Sequence, residues 1–217
     1  MSRKGEAGIR GSARPKFINA PETCVADSLA GFVAVNTAVR LLRDSGALVR
    51  HDYEQLAEEG KVALLSGGGS GHEPGFSGFI GEGLLTAAVA GPVYTSPFSD
   101  NILGAIRTKA ITEGIRAEMV LIAEDTALAH THPSTGRRGL CGSVFMMKAR
   151  GTIAGAMAEE KKNLDEIKAF VQAKKHNMGT ITVALTPCSL PGRDELLFNL
   201  PAGKMELGMG THPASAD

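Results

Sequence analysis

Residues 61–83 read KVALLSGGGSGHEPGFSGFIGEG. The stretch opens on an apolar run, Val62-Ala63-Leu64-Leu65. It breaks into Ser66-Gly67-Gly68-Gly69-Ser70-Gly71 and then delivers His72-Glu73-Pro74. A short apolar run bounded by turn residues reads as a buried strand. Glycines directly after it let the backbone turn sharply and approach a ligand, because no Cβ stands in the way. In open α/β sheets ligands bind beyond the carboxyl ends of strands, so His72 is a candidate site residue. A flexible linker is the competing reading of a Gly/Ser run. Linkers have polar flanks, however, and this run lies between the strand and Phe76, Phe79 and Ile80. Neither common phosphate loop fits. A P-loop puts Lys-Ser/Thr after its last glycine, where His72-Glu73 stands; the dinucleotide pattern, counted from Gly69 and Gly71, needs a glycine where Pro74 stands.

Working outward, Pro21-Glu22 opens a helix with Val25, Leu29, Phe32 and Val33 on one face. Residues 39–60 carry no clear period and are left as a connection. Residues 61–65 are the first strand. Residues 84–90 read as a short strand or a buried helix, and residues 93–95 as a further short strand. A helix starts near residues 96–100, with Ile102, Leu103, Ile106 and Ala110 on its apolar face. EMVLIA, residues 118–123, is a second strand that ends in Glu124-Asp125. His130-Thr131-His132 has the spacing of a metal-ligand pair, but no third ligand is near in sequence and a surface loop is the plainer reading. Arg137-Arg138 can hold a phosphate bidentately, cap the preceding helix, or pair with Glu124 or Asp125. Residues 140–158 read as one long helix with Val144, Met147, Ile153 and Met157 in the core, and residues 164–176 as an amphipathic helix. GTITVAL, residues 179–185, is a third strand, residues 197–200 an edge strand, and residues 205–212 a last strand ending in a glycine turn and His212. His72 and His212 thus each follow a strand and a glycine turn. If those strands share one parallel sheet, both can face one crevice.

The totals narrow the class. At 217 residues with 43% apolar content, the chain is one domain with a sizeable core. Its 23 basic and 23 acidic residues balance, which argues against a nucleic-acid footprint. Cys24, Cys141 and Cys188 are widely spaced and form no CxxC, so neither a disulfide framework nor a zinc site is indicated. Free thiols in a reducing, cytoplasmic compartment are expected. No apolar run reaches the ~18 residues of a membrane helix. Residues 1–15 read as a disordered basic tail and residues 16–217 as the domain.

Four long motifs resemble the substrate-binding K domain of the dihydroxyacetone (glycerone) kinase family, in its eukaryotic triokinase-like branch. They are LLSGGGSGHEP, GFIGEGLLTAAVAGPVYTSP, TGRRGLCGSVFMMK and MELGMGTH. The resemblance runs from about Lys16 to His212. It implies a mixed α/β sheet flanked by helices and an unusual covalent anchor. At the position of His212, the family's histidine adds through a ring nitrogen to the ketone carbon of dihydroxyacetone, giving a hemiaminal. Glycerol, which has no carbonyl, cannot form that bond. The family's histidine at the position of His72 hydrogen-bonds the substrate and serves as acid or base. The backbone around Gly68, Gly69, Ser70 and Gly71 lies against the substrate.

The same resemblance implies that this chain binds no cofactor itself, ATP and Mg being held by an L-type ATP-binding domain, and that the chain pairs as a homodimer. Three departures stand out. A strand-helix unit of roughly thirty residues, longer than a minimal crossover, is missing between residues 110 and 118. In the family it carries a Lys and an Asp that contact substrate, and Asp125 is not its counterpart. The chain ends soon after His212 where family members continue, and it has no L domain. Loss of an internal strand is expected to leave buried backbone groups unpaired, which is costly. A non-catalytic, triose-sensing or partner-binding fragment is therefore the alternative to a kinase component.

Overall fold

The structure is a computed structural model, and residues 16–43, 45–107, 116–127, 137–147 and 154–208 are described. The expected N-terminal tail, His130, His132, Ala110, Ile153 and His212 lie outside the described residues, as does the side chain of Met147.

Residues 39–50, unassigned from sequence, form a hairpin. Strand β1 (Val39–Leu42) pairs antiparallel with β2 (Ala47–Arg50), and Gly46 supplies the positive φ of +63° at the turn. All four residues of β2 are buried, so no polar alternation betrays the strand. The hairpin leads into a short helix α2 (Tyr53–Glu58). Helix α1 (Cys24–Val35) forms where the apolar spacing places it. Its Leu29, Phe32 and Val33 pack on a cluster of Val39, Leu48, Ile80, Leu85 and Ala88.

Strand β3 spans Leu65–Ser70 and β4 spans Ala87–Val93. The sheet order is β1-β2-β4-β3, with β2·β4 antiparallel and β3·β4 parallel. Two expectations are corrected here. The glycine run is itself the strand, and residues 61–64 only lead into it. Residues 84–95, read as two pieces, contribute one strand through Gly91 and Pro92. β3 and β4 approach so closely that a Cβ on Gly67 would stand 2.4 Å from the Val89 carbonyl oxygen, while Gly91 in β4 packs on the turn after its own strand, where a Cβ would stand 2.2 Å from the Thr95 carbonyl oxygen. Here glycine marks close backbone approach within a sheet rather than a loop.

Helix α3 (Ser99–Arg107) follows, but its Ile102 and Leu103 are exposed rather than core. The long helix expected over residues 140–158 is seen at its two ends, as α4 (Cys141–Met147) and α5 (Ala154–Glu159). Helix α6 (Leu164–Lys174) starts on a capping box. Asn163 accepts from the Glu166 amide and Glu166 accepts from the Asn163 amide, each at 2.9 Å, an arrangement contributing about 1 kcal/mol. Met146, Ala154, Ala158, Ile167 and Val171 form a second cluster, on which Leu64, Val120 and Ile122 pack.

The second half of the sheet also differs from the sequence expectation. EMVLIA is not a paired strand; its neighbourhood contributes one parallel bridge, Asp125 to Thr180. GTITVAL shortens to β5 (Val183–Ala184), antiparallel to β6 (Glu206–Leu207) in a separate two-stranded sheet. Residues 197–200 contribute no strand, only a bridge between Ser189 and Leu196 close by. The sheet is therefore split between β3 and residues 117–124, where the missing strand-helix unit was expected. A strand exists by pairing, and a segment whose neighbour is gone keeps its apolar alternation without its ladder. Val120 and Ile122 pack inward, whereas Met119 and Leu121 are 84% and 66% exposed. The condition for one crevice, that the strands before His72 and His212 share one parallel sheet, is not met among the described residues, where β3 and β6 lie in separate sheets.

Candidate functional site

His72 stands two residues past β3, beyond Gly71, whose φ of +104° makes the turn. The Glu73 carboxylate folds back on that turn and accepts the Gly71 amide with both oxygens at 3.1 Å. The half-buried His72 ring meets Phe76 edge-on, with centroids 6.0 Å apart. A Cβ on Gly75 would lie 3.2 Å from His72 Cδ2, and one on Gly68 would lie 3.7 Å from His72 Cε1 and 2.6 Å from Phe76 Cε2. The glycines therefore make room for the His72–Phe76 ring pair.

Two concavities flank this strand. One, of about 430 Å³, is walled by Gly68, Gly69, Ser70, Glu73 and Phe76 with Phe32 of α1. The other, of about 650 Å³, is lined by Ser70, Gly71, Glu73 and Tyr94 with Lys16 and Asp27. Of the residues expected to hold substrate, Gly68, Gly69 and Ser70 line the first, and Ser70 and Gly71 line the second. Ser70 is pinned by its own hydroxyl, which donates to the Gly91 carbonyl at 2.8 Å. Tyr94 was not foreseen. Its φ is +54°, its amide donates to the Ser70 carbonyl at 2.8 Å, and its ring closes over Gly71. The Cys188 thiol, 3.5 Å from the Tyr94 hydroxyl, and burial push the Tyr94 phenol up to about 12. Only the glycine before His72 could have hinted at an aromatic lid, since a ring needs a bare backbone to lie on.

A second constellation gathers the ED and GRRG motifs. Glu124 is 1% exposed, and its Oε1 accepts the amides of Leu140 at 2.6 Å and Ser143 at 3.3 Å, at the start of α4. Asp125 is fully buried and pairs with Arg138, at 2.7 Å from Nε and 2.6 Å from Nη2. Arg137 Nε donates to the Asp125 carbonyl at 2.9 Å. Of the three roles open to Arg137-Arg138, the carboxylate partner is the one seen, and it is Asp125. Among the described residues no group of three or more His, Cys, Asp or Glu side chains could hold a metal ion.

Residues 30–114 and 105–216 match the Dak1 domain. The chain belongs to the Dak1 domain family. The match comes in two pieces that meet where the missing unit was expected. Against the rat protein called triokinase/FMN cyclase, this chain is 42% identical over 225 residues, covering 91% of the chain and 38% of the relative. An alignment longer than the 217-residue chain means that the relative carries residues with no counterpart here. The dihydroxyacetone-binding subunit DhaK of the PTS-dependent dihydroxyacetone kinase of Lactococcus lactis is 34% identical, over 91% of this chain and 65% of the subunit. Among solved structures, the dihydroxyacetone kinase of C. freundii in complex with AMP-PNP and Mg2+ superposes with a TM-score of 0.76 at 30% identity, covering 91% of this chain and 41% of that one. A dihydroxyacetone kinase operon co-activator, Dha-DhaQ, superposes with a TM-score of 0.73 at 28% identity, over 88% of this chain and 64% of that one. The chain therefore spans about two fifths of the triokinase relatives and just under two thirds of the DhaK-type subunits. The expected mixed α/β class, with a sheet flanked by helices, holds. Among the described residues no helix is long and apolar enough to cross a membrane.

Proposed function

We propose that this chain is the triose-holding part of a glycerone kinase, and that it holds dihydroxyacetone through a reversible covalent bond to His212. The lone pair of a neutral imidazole nitrogen attacks the ketone carbon, and the carbonyl π pair moves to oxygen. That oxygen gains a proton while the other ring nitrogen loses one, leaving a neutral hemiaminal. His72 hydrogen-bonds the bound triose and moves that proton. Gly68, Gly69 and Gly71 supply a wall without side chains, and the Ser70 hydroxyl is turned onto the Gly91 carbonyl. ATP and Mg belong to a separate L-type domain, the chain works as a homodimer in the cytoplasm, and its three cysteines are free.

The observation that carries this reading is the placement of His72. It follows the carboxyl end of a glycine strand, between Gly71 and Glu73, which line the larger concavity while His72 itself lines neither, in a chain of the Dak1 family. Names of further relatives support the substrate class. A 35% identical tomato protein is called a putative 3,4-dihydroxy-2-butanone kinase, and a 31% identical one from Mycolicibacterium smegmatis a D-erythrulose kinase. Both compounds share with dihydroxyacetone a ketone beside a hydroxylated carbon. That is the group an imidazole can capture and glycerol lacks.

The test is mass spectrometry and carbon NMR of the chain with dihydroxyacetone labelled at the ketone carbon. We expect an adduct on His212, absent in His212→Ala and weakened in His72→Ala. Undiminished binding by His212→Ala would overturn the covalent anchor. The likeness to an operon co-activator favours one second reading, a triose sensor without phosphoryl transfer. A coupled assay with an L-type domain and MgATP separates the two, since a sensor forms the adduct and turns nothing over.

A further inference from the structure

Strand β3 ends the four-stranded sheet, and its outer edge is bare. β4 pairs with one side of Leu65–Ser70, and among the described residues the other side has no ladder partner. The strand reads LSGGGS, with no charge and no proline, the devices that ordinarily keep an edge from pairing further. Residues 118–123 show the complementary defect. They keep a strand's alternation, yet among the described residues none of the amides of Met119 to Ala123 donates to a backbone carbonyl. Both segments rest on one helical layer. Leu64, at the entry to β3, packs with Val120 and Ile122 on the cluster that α4, α5 and α6 supply. The family match breaks into its two pieces, 30–114 and 105–216, in the chain that joins them, and it is here that the rat relative has room for the residues without counterpart.

We propose that this chain takes up one strand from a separate polypeptide, along the outer edge of β3 and bridging it to residues 118–123. The occupant is an extended segment of about six residues, roughly 20 Å long, to match the six residues of β3. Its side chains are apolar on both faces. One face meets the helical layer under Val120 and Ile122; the other lies beside Met119 and Leu121, 84% and 66% exposed, and Leu65, 36% exposed. A strand covered on both faces is a continuous apolar run rather than an alternating one. Main-chain bonds to the bare edge supply affinity, and the alternate side chains supply selectivity. Gly67, Gly68 and Gly69 put no side chain in the way of an arriving backbone. The proposal does not depend on what the chain does with a triose.

The experiment uses the whole 217-residue chain and a synthetic peptide of the residues that the rat relative carries between those aligned with Arg107 and Arg116. Amide hydrogen exchange by NMR and the melting temperature are read with and without peptide. Two control peptides are used. One has the same composition in scrambled order; the other has proline at its centre, which removes a ladder donor. We expect saturable binding, and exchange slowed roughly tenfold or more at amides of Ser66–Gly69 and Met119–Ala123. The melting temperature should rise by roughly 5–10 °C at a peptide concentration about a hundred times Kd. Both control peptides should bind about tenfold more weakly or worse. No binding, equal binding by either control, or protection confined to other residues overturns the proposal. Slow exchange of those amides in the chain without peptide overturns it too, because the edge is then already covered; sedimentation shows whether a second copy covers it. None of these outcomes touches the triose reading, which the adduct experiment tests separately.

Discussion

Replacing Gly67 by alanine tests whether the glycine run is a paired strand. The new Cβ would stand 2.4 Å from the Val89 carbonyl oxygen and 3.3 Å from the Val89 carbonyl carbon. Ordinary carbon-to-oxygen approach is about 3.3 Å, so β3 and β4 must part by nearly 1 Å at this level. The obstacle is backbone in a parallel ladder, with Gly67 opposite Val89 and Ser66 opposite Ala88, so no side chain can swing aside. Overpacking costs about 1–3 kcal/mol, and a loosened ladder bond about 1 kcal/mol more. A loss of about 3 kcal/mol lowers the melting temperature of a chain this size by roughly 6–12 °C. Gly31→Ala is the comparison. Gly31 lies in α1 with nothing within 4 Å of its added Cβ, and alanine there favours the helix by up to about 1 kcal/mol. Thermal and urea unfolding of the two variants should therefore shift in opposite directions. If Gly67→Ala melts with the unsubstituted chain, the run is a loop and the strand assignment fails.

Two further predictions follow from the buried polar contacts. A Cβ on Gly142 would stand 2.5 Å from Cγ of Glu124, so Gly142→Ala should push that carboxylate off the start of α4 and cost about 1–3 kcal/mol, seen as an earlier unfolding midpoint in urea. Stability should also fall on acidification. Asp52 is held below its ordinary value by its hydrogen bonds from Arg50; for Glu159 burial pushes up, but the hydrogen bonds from Lys61 and Arg50 outweigh it and the net direction is down. Groups with depressed folded values stabilise the fold above their unfolded pKa of about 4 and lose that contribution as pH drops through the folded value. Melting temperatures should hold from pH 7 to about 5 and drop below about 4, and Arg50→Gln should flatten that drop; a drop just as steep in Arg50→Gln would assign it to other carboxylates.

Much of the local order was legible. The spacing of Leu29, Phe32 and Val33 fixed α1, and the period of Leu164, Ile167 and Val171 fixed α6, because an apolar stripe on a helix needs only one covered face. Strands were read less well. Residues 118–123 have a strand's alternation, yet pairing depends on a neighbour, and the neighbour is not encoded next to them. Residues 39–50 failed for the opposite reason: β2 is buried throughout, so its polarity carries no period. Within the site, His72 and its glycines were found because a turn that bares the backbone is a local signal. Tyr94 and the Asp125–Arg138–Gly208 chain were not, since each joins segments far apart in sequence.

The sequence by itself determined the family, the gap near residue 110, the two amphipathic helices and the candidacy of His72, because motif spacing and apolar period are written in consecutive residues. Tertiary structure alone decided that the glycines are a strand whose exit turn at Gly71 lies under Tyr94, that Arg138 pairs with Asp125, and that the sheet divides beyond β3. Each of these is a matter of which distant backbone comes within about 3 Å, and close approach is settled by packing of the whole chain.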